Sequence, residues 1–117
     1  MHRGDVVLLA FPFSDGRGMK VRPALVVQTD GNNKRLTNTI VAMITSATAR
    51  AHKEPTQLRI DLHSPAGKAS GLLHDSTVKC ENLFTVEQPA IVKIIGHLPE
   101  GEMTKIDRCL CAALGLR

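Results

Sequence analysis

Lys20-Val21-Arg22-Pro23-Ala24-Leu25-Val26-Val27-Gln28 runs from a glycine-rich loop into an apolar strand, and Arg22 stands at the junction. Pro23 fixes its own φ and pushes the residue before it towards extended geometry, so Arg22 is expected at the mouth of the strand. A guanidinium held there, beside Lys20 and the flexible Gly16-Arg17-Gly18, suits an anion such as a phosphodiester. A solvated arginine at a strand start is the plainer alternative, and the neighbouring segments have to decide.

Upstream, Asp5-Val6-Val7-Leu8-Leu9-Ala10-Phe11 is nearly all apolar, which suits a strand buried on both faces and ended by Pro12. Ser14-Asp15-Gly16-Arg17-Gly18 is turn chemistry. Downstream, the strand Ala24 to Gln28 closes at Asp30-Gly31-Asn32-Asn33, read as a hairpin-type connection. Thr39 to Thr45 is a third strand, ending in the hydroxyl cluster Thr45-Ser46-Ala47-Thr48. A basic loop with Arg50, His52 and Lys53 follows, then Gln57 to Leu62, which alternates with period two and so should have one wet face.

Residues 63–71 read as another loop, Leu72-Leu73 and Thr77 to Cys80 as short strands around an Asp75-Ser76 turn, and Ile91 to Ile95 as a last strand stopped by Gly96. From Glu100 the period changes. Met103, Ile106, Leu110 and Leu114 recur at helical spacing, two acids occupy the first turn and Gly115 stands where a helix would stop. These elements predict a mainly β fold, a compact antiparallel barrel or sandwich with a helix over about 100–114, in one domain spanning 1–117.

Composition narrows the function classes. No apolar run is long enough to span a membrane and the first residues lack a signal-peptide plan, so the expectation is a cytoplasmic protein with no membrane partner. The formal net charge of +4 is compatible with a polyanionic partner. With no Trp or Tyr and only Phe11, Phe13 and Phe84, any RNA bound would be held by phosphate charge and base-edge hydrogen bonds more than by stacking. Cys80, Cys109 and Cys111 show no zinc spacing and are read as free thiols in or near the core. Phosphate-loop, dinucleotide, nucleophile-elbow and zinc-protease signatures are absent, and the isolated acids do not suggest a magnesium cage; no metal or cofactor is expected.

In an antiparallel meander the start of one strand lies beside the end of its successor, so Arg22 and Thr45 should converge at one rim. A charged fork beside a hydroxyl can bind a phosphodiester and stabilise charge growing on its oxygens. The plainer reading of Thr45 and Ser46 is a strand end satisfying its own backbone. Of the five histidines, His2, His52, His63, His74 and His97, no spacing pairs any two; His52 and His63 lie in loops that could border the rim.

Arg3-Gly4-Asp5-Val6-Val7-Leu8, Phe11-Pro12-Phe13-Ser14-Asp15-Gly16 and Lys20-Val21-Arg22-Pro23-Ala24-Leu25-Val26-Val27 resemble the N-terminal half of the MazF/PemK toxins, endoribonucleases of bacterial toxin–antitoxin modules. Ile44-Thr45-Ser46 looks like the family's second motif. Asp75-Ser76-Thr77-Val78, Glu81-Asn82-Leu83-Phe84-Thr85-Val86 and Ile95-Gly96-His97-Leu98 are similar to its C-terminal half. The resemblance implies an SH3-like barrel of the PemK/CcdB type, a homodimer, and metal-independent cleavage of single-stranded RNA to a 2′,3′-cyclic phosphate and a 5′-hydroxyl. It also implies a cognate antitoxin, often with a disordered acidic tail, occupying the RNA groove. Carried over by position, Arg22 matches the catalytic arginine and Thr45 the catalytic threonine or serine, with Ser46, Gly16, Arg17, Gly18 and Lys20 in support.

The pattern departs where many members have Asp-Gln-Ile-Arg: here it is Glu81-Asn82-Leu83-Phe84. Asn82 could read a base edge and Phe84 could stack on one; polar surface for the first and core packing for the second are the alternatives. Two rival functions share the fold, a CcdB-like gyrase-binding toxin and a non-catalytic SH3-like interaction module. The chain's last residues, Ala113-Leu114-Gly115-Leu116-Arg117, lack the aromatic that the gyrase poison uses.

Overall fold

The computed structural model describes residues 1–12, 18–46 and 54–117. Along the chain run β1 (Asp5–Pro12), β2 (Met19–Val26), α1 (Asp30–Arg35), β3 (Asn38–Thr45), β4 (Gln57–Ile60), α2 (Pro65–Ser70), β5 (Ser76–Glu87), a 3₁₀ turn (Gln88–Ala90), β6 (Ile91–His97) and α3 (Glu100–Leu114). All strand pairs are antiparallel, in the order β4-β5-β3-β2-β1-β6. The fold is mainly β with a terminal helix, as expected. The sheet, however, is not closed on itself: among the described residues β4 and β6 are its two edges.

β1 is buried on both faces, as its unbroken apolar run requires. Val6 joins a core with Leu25, Ala42, Ile44, Val78 and Ile60 that α3 covers with Met103, Ile106 and Cys109. Val7 and Leu9 point the other way, into a second cluster with Ala24, Val26 and Val41. The helical stripe is displaced from the expected one. Leu110 is half-buried and Leu114 is 55% exposed, while Cys109 is buried and takes the place that the simple i, i+3, i+4 count assigned to a leucine. All three cysteines are free thiols, Cys80 and Cys109 buried, Cys111 half-buried.

Two segments read as loops are short helices. Residues 30–33 begin α1, because Asn33 is buried and braces the turn. Its amide donates to the Gln28 carbonyl at 3.0 Å, and its Oδ1 accepts from Gln28 Nε2 at 2.9 Å and Thr39 Oγ1 at 2.6 Å. Residues 65–70 form α2, started by Ser64, whose Oγ accepts from the Gly67 N–H at 3.0 Å, with Pro65 at the first helical position. Gly71 ends it in the left-handed conformation, φ 73°.

Gly96 does not stop β6, which continues to His97. Instead it lets α2 lie directly on that strand. A Cβ at Gly96 would come within 2.4 Å of the Ala69 carbonyl oxygen, and one at Gly71 within 2.1 Å of the Ile95 carbonyl oxygen. This backbone-to-backbone contact fixes where the chain leaves α2. Leu72 and Leu73 are accordingly not a strand, and β5 is a single strand of 12 residues beginning at Ser76.

Candidate active site

Arg22 lies inside β2, not at its mouth. β1 runs on to Pro12 and pairs with β2 out to Met19, so the strand starts earlier than its apolar content suggests. Pro23 is tolerated in mid-strand because the ladder from β2 to β3 begins one residue later, at Ala24↔Met43. A proline has no N–H to give to a second neighbour, so the seam between β2 and β3 opens at that point. Extending the register outward by two residues sets Arg22 opposite Thr45. Arg22 pairs with Leu9 on its other side, and Thr45 with Thr77. Side chains directly opposed across antiparallel strands share a face, so Arg22 and Thr45 stand on one side of the sheet, as the meander argument expected.

The open seam is one wall of a cleft of about 620 Å³, a volume in the range of small-molecule and nucleotide sites. β2 contributes Lys20, Val21, Arg22 and Pro23, β3 contributes Ile44 and Thr45, and Ser46 follows directly after β3. Leu8 and Ser76 line the region between, and the second wall is Gly71, Leu72, Leu73 and His74 with Ile95 of β6. Arg22 and Thr45 are half-buried, Lys20 and Ser46 exposed. By strand alternation the two cations Lys20 and Arg22 and the Thr45 hydroxyl share the sheet face of Leu9 and Ala24, whereas Ile44 packs with Leu72 and Ile95 on the opposite face. Two cations and a hydroxyl on one face can hold an anion and stabilise negative charge that grows on it.

Other expected site residues fall elsewhere. Gly18 is exposed, at φ 140°, and lies outside the cleft lining. Asn82 is exposed on a bulge of β5, where the pairing with β3 jumps from Leu83 to Lys79. Phe84 is 42% exposed and meets Phe11 edge to face, ring centroids 5.5 Å apart. Gly16, Arg17 and His52 lie outside the described residues. His63 does not border the cleft, whereas His74 does. Spacing could not single out His74, because the Gly71 and Gly96 contacts that bring it there join segments far apart in sequence.

Among the described residues no group of three or more His, Cys, Asp or Glu side chains is placed to hold a metal ion. No helix there is long and apolar enough to cross a membrane. Burial pushes the Cys80 thiol up to about 12, with neighbouring Cys109 and Glu81 adding to the effect; burial likewise raises Cys109.

The profile of the PemK-like, MazF-like toxins of type II toxin–antitoxin systems matches residues 2–114. The chain belongs to this family. Endoribonuclease EndoA of Bacillus subtilis (strain 168) is 34% identical over 115 residues, covering 97% of this chain and 94% of that protein. Endoribonuclease MazF of Staphylococcus epidermidis is 32% identical over 117 residues, covering 99% and 92%. Among solved structures, a mycobacterial endoribonuclease in complex with its cognate antitoxin superposes with a TM-score of 0.75 at 22% identity, over 100% of this chain and 97% of that one. The likeness in fold thus extends over the whole chain.

Proposed function

We propose that this toxin is an endoribonuclease that cuts single-stranded RNA, with Arg22 and Thr45 at the scissile phosphate. The observation that carries the reading is the Arg22–Thr45 pair beside the opened β2–β3 seam, in a cleft that also takes in Lys20 and Ser46. A guanidinium offers a planar fork to two phosphate oxygens, and a hydroxyl beside it can hold a third contact. The 2′-hydroxyl then attacks phosphorus, the bond to the 5′-oxygen breaks, and the products are a 2′,3′-cyclic phosphate and a 5′-hydroxyl. An arginine does not release its proton under ordinary conditions, so Arg22 acts by stabilising charge. Gly16, Arg17 and Gly18 are assigned the flank of the RNA path, and Asn82 a base contact beyond the cleft.

The same reading makes the chain one toxin domain over 1–117, a cytoplasmic homodimer, and the target of a cognate antitoxin with an acidic, partly disordered segment. A solved MazE–MazF structure from Deinococcus radiodurans, TM-score 0.74 at 19% identity, supports the antitoxin partner together with the mycobacterial complex. The gyrase-binding and non-catalytic alternatives have no comparable support.

Purified protein incubated with a long defined RNA in EDTA tests the proposal. The wild type is expected to cut it, and Arg22→Ala to lose about 10²–10³-fold in rate, the usual cost of one such donor. Arg22→Lys is also expected to be impaired, since a point charge does not reproduce a fork. Equal cleavage by Arg22→Ala, with circular dichroism and oligomer mass unchanged, would remove the mechanism.

A further inference from the structure

We infer that Thr77 is a positioning residue for the cleavage, its buried hydroxyl aligning the Thr45 hydroxyl on the scissile phosphate; this rests on the nuclease reading of the site. Thr77 stands directly opposite Thr45 in the ladder between β3 and β5. Directly opposed residues share a face, with Cβ atoms about 4.5–5.5 Å apart, close enough for two threonine hydroxyls to meet. The next rung fixes which face this is. Val78 pairs with Ile44 and packs with it in the core under α3, so Thr45 and Thr77 both look to the other side, where Arg22 stands opposite Leu9.

Burial sets the two hydroxyls apart. Thr45 is half-buried, whereas Thr77 is fully buried and cannot touch an RNA itself. Its Oγ1 has no hydrogen-bond partner among the described residues. Folded proteins pair the great majority of their buried polar atoms, so an orphan of this kind calls for a reason. Packing does not supply one, because valine has nearly the same shape and carries no hydroxyl to strip of water. On its other side in the ladder Thr77 faces Arg59, whose guanidinium is drawn to Asp75 at 3.6 Å. Of its two neighbours in the row, Thr45 is the one that leads to the cleft.

A hydroxyl has one hydrogen and two lone pairs. When Thr45 turns its hydrogen towards a non-bridging phosphate oxygen, its own oxygen is left as an acceptor, and Thr77 donates to it. This does not need Thr45 to be otherwise free, since a second lone pair remains. The donation keeps the Thr45 hydrogen aimed at the phosphate, and each bond in the series Thr77, Thr45, phosphate polarises the next. The gain is greatest in the transition state, where the phosphate oxygens carry more charge than in the bound substrate. Thr77 transfers no proton. Without RNA the bond is not made, as is common for catalytic hydrogen bonds that tighten only around substrate.

The test compares wild type, Thr77→Val, Thr77→Ser, Thr45→Val and the double variant Thr45→Val/Thr77→Val on one defined RNA. Thr77→Val is expected to be at least as stable as wild type and yet to lose about 10-fold in kcat, with KM within about 2-fold. Thr77→Ser gives up a packed methyl group and keeps the hydroxyl. It is expected to melt lower than wild type and still to cut within about 3-fold of its rate, an order that packing alone would reverse. In the Thr45→Val background Thr77→Val is expected to change nothing further, because the hydroxyl it acts through is gone. Wild-type kcat in Thr77→Val, a loss that Thr77→Ser shares in full, or the same loss in the Thr45→Val background overturns the role of Thr77 and leaves Arg22 and Thr45 in place. Failure of the wild type to cut the RNA overturns the nuclease reading itself.

Discussion

Gly96→Ala tests the contact that builds the second wall of the cleft. Gly96 needs no unusual backbone angle, so the effect is steric. The added Cβ would sit 2.4 Å from the Ala69 carbonyl oxygen and the Ser70 carbonyl carbon, and 2.5 Å from the Ser70 oxygen. All three are main-chain atoms, and no flexible side chain can swing away to make room. Relief requires α2 to move off β6. Overpacking of this kind costs about 1–3 kcal/mol, and a clash with three backbone atoms belongs at the upper end. The stiffer unfolded chain of the alanine variant returns about 0.4–1 kcal/mol, leaving a net loss of about 2–3 kcal/mol. For a chain of 117 residues the unfolding entropy is about 0.25 kcal/mol per kelvin, so Tm should fall by about 8–12 °C. Scanning calorimetry at one fixed protein concentration measures this, since association would shift both curves. Gly101→Ala is the control: it lies in α3 with nothing within 4 Å of its Cβ, and should gain about 0.5–1 kcal/mol from helix propensity. A Gly96→Ala variant melting within 2 °C of wild type would refute the close-packing argument, and with it the account of how residues 71–74 are placed.

Two further outcomes follow from groups in the core. Thr77 is fully buried and its hydroxyl has no hydrogen-bond partner among the described residues, so Thr77→Val should raise stability by about 1 kcal/mol in urea titration; a loss would mean that the hydroxyl is engaged in the native protein. Native-state titration with a thiol reagent should modify half-buried Cys111 first, with Cys80 and Cys109 reacting only on unfolding. Because the Cys80 pKa is raised from 9.0 to about 12, the unfolded chain releases that proton first; its stabilising effect is complete below pH 9 and is lost as pH rises towards 12. Cys80→Ala should flatten that alkaline decline, and an unchanged slope would count against burial as its cause.

What could be read from the residues depended on how local the deciding physics was. The 3.6-residue recurrence and the acid-rich first turn marked α3 at its observed bounds, because a helix of that length declares itself within its own sequence. The Arg22–Thr45 pairing was legible for a related reason: consecutive antiparallel strands leave few registers open. α1 and α2 are not legible in the sequence because their six residues are rich in Gly, Asn and Ser, which favour turns unless something else intervenes. In α1 the intervention is the buried Asn33 side chain bonding to Gln28 and Thr39. The Ser64-Pro65 start and Gly71 stop of α2 were present as signals and outweighed by composition. His74 was beyond reach, since its position depends on Gly71 and Gly96 approaching across 25 residues of chain, as their clash distances show. Nothing in either segment alone announces the other.

Proline in the middle of a sheet is ordinarily a defect to be hidden at an edge. At Pro23 one rung between β2 and β3 is missing whatever the main chain does, because the donor that would form it does not exist. A ligand seated at that point competes with no hydrogen bond donated by residue 23.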